Sequence, residues 1–101
     1  MELPSIEELE RFWDPDGGVF SKLREGVLDA GGLEKVASRL EAIEVPEDAD
    51  LPRRFVSLIW FIPIFFEWQR ERVQEQGGDM QDFARLQNRL TGVVQGLLGV
   101  P

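Results

Sequence analysis

The stretch RRFVSLIWFIPIFFEWQRERVQEQ, residues 53–76, decides how the rest of the chain is read. Its first half, Phe55–Phe66, carries no charge and is apolar all round except at Ser57. A helix of that kind is buried on every side, in a core or in lipid. The run is 12 residues long, whereas a bilayer span needs roughly 20. Arg53 and Arg54 close it on one side, Glu67 and Arg70 on the other. No membrane span is expected, and the segment reads as a buried element. Pro63 lacks an N–H and clashes with the carbonyl four residues back, so the central hydrophobic helix is expected to be kinked or broken there. The β-branched and aromatic content of Phe55–Ile62 also suits a strand. Helix is preferred, because no other segment alternates with period two and a strand would have no partner. Beyond Pro63 the pattern turns amphipathic, with Glu67, Arg70, Glu71 and Arg72 around Trp68 and Val73.

The flanking sequence is helical by the same criteria. Ser5 and Glu8 have the spacing of a capping box, and Ile6, Leu9 and Trp13 follow on one face. Asp14-Pro15-Asp16-Gly17-Gly18 is a turn. Phe20, Leu23, Val27 and Ala30 form one stripe, predicting a helix over Val19–Ala30 that stops at Gly31-Gly32. Leu33, Val36, Leu40 and Ile43 predict the next, over Leu33–Glu44. A loop with two prolines, Val45–Pro52, leads into the central segment. After Gln76-Gly77-Gly78, Asp79 is placed to cap a last helix with a stripe of Phe83, Leu86, Leu90, Val93 and Leu97. The expectation is a single all-α domain over residues 1–101, a compact bundle of four to six short helices.

Composition narrows the function. The chain has no Cys and no His. That removes thiolate chemistry, the usual zinc ligands and the commonest general base near neutral pH. The absence of Cys and of a basic-then-apolar leader at Met1-Glu2-Leu3-Pro4 fits a cytoplasmic protein. Net charge is −8. Residues 1–51 hold 14 acidic and 5 basic side chains, and residues 52–101 hold 5 and 6. Such a field repels nucleic acid and favours a basic partner. Acidity that only keeps the chain soluble is the plainer reading.

Carboxylate spacings invite a metal reading. The all-helical nucleotide pyrophosphohydrolases hold Mg²⁺ with a Glu-x-x-Glu pair on one helix and a Glu-x-x-Asp pair on the next. Glu7/Glu10 and Glu41/Glu44 have the first spacing, but the only Glu-x-x-Asp, Glu47/Asp50, lies in the Pro-bounded loop. The facing-helix geometry of a two-metal site is therefore missing. The Asp14–Gly18 turn lacks the later ligands of a calcium loop. Gly92 and Gly96 have helix-packing spacing, which in a soluble helix marks a close neighbour or a fraying end. No catalytic residue, metal or cofactor is expected.

What remains is aromatic density. Trp60, Phe61, Phe65, Phe66 and Trp68 fall within nine positions, and five further aromatic residues lie elsewhere. Each large aromatic buries about 150–250 Å², and so small a bundle hides all ten with difficulty. The expectation is a non-catalytic module that binds another protein. Trp60, Phe65 and Trp68 would be anchors, and Glu41, Glu44, Glu47, Asp48 and Asp50 would meet a basic partner as phosphate mimics. An inhibitor or immunity-type protein is one concrete form. The alternatives are an obligate homodimer that pairs the surplus apolar surface with itself and a Mg²⁺-dependent phosphohydrolase.

Overall fold

The computed structural model describes residues 6–101, and those residues are helical and loop, with no strand among them. The helices are α1 (Ile6–Phe12), α2 (Val19–Arg24), α3 (Ala30–Glu41), α4 (Arg53–Ile59), α5 (Ile62–Trp68), α6 (Arg70–Glu75) and α7 (Met80–Leu98). Only Gln69 separates α5 from α6, so the pair is equally one interrupted helix, which makes six. The radius of gyration, 13.5 Å, is that of a compact chain of this length. Ser5, and with it the capping box, lies outside the described residues.

The spine is α7, which packs against α3, α5 and α6, while α1 lies on α4 and α2. Asp79 starts α7 by accepting hydrogen bonds from the N–H groups of Gln81 and Asp82. Phe83, Leu86, Leu90 and Leu97 are buried as expected, but the fourth buried position is Val94 and not Val93. A straight helix at 3.6 residues per turn drifts from a seven-residue repeat, and by the third turn Val94 has rotated inward. In α3, Leu33, Val36 and Leu40 are buried, and Ile43 is buried just past its end.

Helix α2 stops earlier than its stripe implies. The N–H of Gly26 donates to Leu23 O and that of Val27 to Lys22 O, the paired closure of a Schellman ending. Gly26 has φ +89° and packs on α6, where a Cβ would stand 2.6 Å from Gln76 Cγ and 3.0 Å from Arg72 O. Val27 is left exposed. Gly31 and Gly32 do not end a helix; they lie in the first turn of α3, where the Asp29 carboxylate accepts from Gly32 N–H.

The central segment is helical, which removes the strand reading. Helix α4 ends at Ile59 and α5 begins at Ile62, with Pro63 in its first turn, where no N–H is needed. Near the interruption the Trp13 indole N–H donates to the Leu58 carbonyl at 3.0 Å, tying α1 to α4. Phe55, Leu58, Ile59, Ile62, Phe65 and Phe66 are buried. Burial is not all round, however: α1 covers α4 and α7 covers α5, and another side faces solvent.

Candidate functional site

That open side carries a row of outward residues. Arg53, Ser57, Trp60, Ile64, Trp68, Glu71 and Glu75 are all exposed and follow one another at steps of three or four through α4, α5 and α6. Trp60, Ile64 and Trp68, at 48%, 42% and 67% exposure, form its apolar centre. Phe61 lies beneath them, its ring centroid 5.5 Å from that of Trp60 and 5.3 Å from that of Trp68. Phe61 also stacks on Trp13, which meets Phe20 and Phe65, so the ridge is continuous with the core. Phe65 itself is 3% exposed, under the Arg24 guanidinium, and is out of a partner's reach. Of the three anchors expected, the structure places Trp60 and Trp68 at the surface and Phe65 inside. Ile64 and Phe61 join them. The step of four from Trp60 to Ile64 to Trp68 is visible in the sequence.

The carboxylates divide into bound and free. Glu8 pairs with Arg39, Glu10 with Arg54, Asp29 with Lys22, Glu34 and Asp82 with Arg85, Glu41 with Arg89, and Glu67 with Arg70. Arg89 Nη2 lies 2.6 Å from Glu41 Oε1 and also donates to Ser38 Oγ, fastening α7 to α3. That bond holds the Glu41 carboxyl below the usual carboxylate range. Glu41 is thus occupied within the chain. Glu44, Glu47, Asp48 and Asp50 are exposed on the loop between α3 and α4 and enter no ion pair among the described residues. Next to the ridge, Glu67 accepts two hydrogen bonds from Arg70 and one from Gln87 Nε2. Arg70 first and then Gln87 hold its carboxyl down at about 2.

No three His, Cys, Asp or Glu side chains come together as a metal-holding group among the described residues. Glu10 and Glu41, members of the two Glu-x-x-Glu pairs, are each engaged by an arginine. The Asp14 carboxylate accepts the Asp16 N–H, closing the turn. Gly92 and Gly96 are exposed, and a Cβ at either would meet open space, so they mark no close helix contact. They line a groove of about 540 Å³ with Leu40, Ile43, Val93 and Leu97. Among the described residues no helix is long and apolar enough to cross a membrane. Comparison with protein-family models, curated proteins and solved structures gives no match.

Proposed function

We propose that the chain is a non-catalytic, acidic helical module that binds a basic protein partner, in the manner of an inhibitor or immunity-type protein of the cytoplasm. The observation that carries this reading is the loop between α3 and α4. Four of its seven residues from Glu44 to Asp50 are carboxylates, all exposed and none matched by a cation among the described residues. Elsewhere among the described residues seven carboxylates have an arginine or lysine at salt-bridge distance, and the seven that have none are spread over the chain from Glu7 to Asp79. Unmatched like charges held close together repel one another, and a cationic surface relieves that repulsion. Capture from a host extract tests the reading. A basic protein should be retained at low salt, released at high salt, and no longer retained by the variant with Glu44, Glu47, Asp48 and Asp50 changed to Gln or Asn. Retention that ignores both salt and that variant would remove it.

A second reading, self-association, is favoured by the ridge. Trp60 and Trp68 leave on the order of 300 Å² of their surface in water, and an exposed apolar patch of that size often marks an association site.

A further inference from the structure

We propose that the ridge is the contact between two copies of this chain, packed antiparallel about a two-fold axis at Ile64. This rests on the self-association reading and is independent of the basic partner. The outward row, Arg53–Ser57–Trp60–Ile64–Trp68–Glu71–Glu75, is self-complementary when reversed on itself. With Ile64 opposite its own copy, Trp60 meets Trp68, Ser57 meets Glu71, and Arg53 meets Glu75. A two-fold contact requires that kind of reciprocal match, each residue i facing j while j faces i. The end charges complete it: neither Arg53 nor Glu75 enters an ion pair within the chain among the described residues. The match occurs twice, once at each end.

The alternatives fit the row less well. A basic partner would meet Arg53 at one end. Anionic lipid would meet Glu71 and Glu75 at the other, against a net charge of −8. A parallel pairing would set Arg53 beside Arg53 and Glu75 beside Glu75. The row runs through α4, α5 and α6, with its apolar centre at Trp60 between α4 and α5 and at Ile64 and Trp68 on α5. Its two indoles supply on the order of 300 Å², short of the roughly 800 Å² per partner of a standard stable interface. The flanking polar residues must supply part of the rest. An interface of that size belongs with weak, reversible association.

Sedimentation of the whole chain from about 1 to 500 μM tests this. The mass should rise from 11.5 kDa to twice that value. Ile64→Glu should abolish the rise, because it sets two carboxylates against each other on the axis. Arg53→Glu and Glu75→Arg should each weaken the dimer several-fold, and the double swap R53E/E75R should restore it. Circular dichroism checks that each variant is folded, and the exposed charge swaps serve if Ile64→Glu is not. A mass of 11.5 kDa throughout overturns self-association itself. A dimer indifferent to Ile64→Glu and Trp68→Ala overturns the ridge as its site. A dimer that both single swaps weaken and the double swap leaves weak overturns the antiparallel register. Co-flotation of the monomer with phosphatidylcholine vesicles, lost in Trp68→Ala, would give the ridge to a lipid surface and overturn the proposal.

Discussion

Gly26 shows how a single residue can decide where a helix stops. Its φ of +89° disfavours any side chain, and the α6 backbone and Gln76 leave no room for a Cβ. Gly26→Ala should therefore cost about 1–3 kcal/mol, read as a shift in a urea unfolding curve. Glu67 acts through charge. Its carboxyl, held at about 2 by Arg70 and Gln87, titrates well below its ordinary range. A group depressed in the folded state stabilises that state above its unfolded pKa and loses the contribution as pH falls toward the folded value. Glu67→Gln should therefore flatten the fall in stability between about pH 4.5 and pH 2. The effect is small, because the pair is exposed and screened. The same side chains mark the reach of sequence reading. That Asp79 caps a helix is legible, because the cap and the N–H groups it serves are two and three residues apart. The occupation of Glu41 by Arg89 is not, because 48 residues separate them.

At the scale of the element, the stripes of α3 and α7 are readable because each helix has one buried face and a polar remainder. Substitution should distinguish Val93 from Val94: Val94→Ala should destabilise more than Val93→Ala in thermal unfolding, since Val94 is the buried one. The α2 stripe misleads beyond Leu23 for a tertiary reason. Val27 and Ala30 keep helical spacing, but the chain turns at Gly26 to lie against α6, and no pattern local to α2 encodes that neighbour. In the central segment, periodicity is silent about orientation, because nearly every position is apolar. The neighbours decide: Phe66 meets Phe83 of α7, Phe65 lies against Trp13, Phe20 and the Arg24 guanidinium, and Trp60, Ile64 and Trp68 are left exposed.

For the whole molecule, the core closes without those three residues. Phe20, Phe55, Phe66 and Phe83 are fully buried and, with the leucines of α3 and α7, form one cluster. Of the ten aromatic residues two are exposed, Trp60 and Trp68, and both belong to the central segment. Among the described residues, seven carboxylates are held by an arginine or lysine, and the loop between α3 and α4 gathers four of those that are not. If the ridge serves association, the fold should not depend on it. Chemical denaturation followed by circular dichroism, with Trp68→Ala beside Phe65→Ala at concentrations below self-association, tests it most directly. Trp68→Ala should cost about 1 kcal/mol or less and Phe65→Ala about 3–5 kcal/mol. Equal losses would make Trp68 part of the core and contradict the claim.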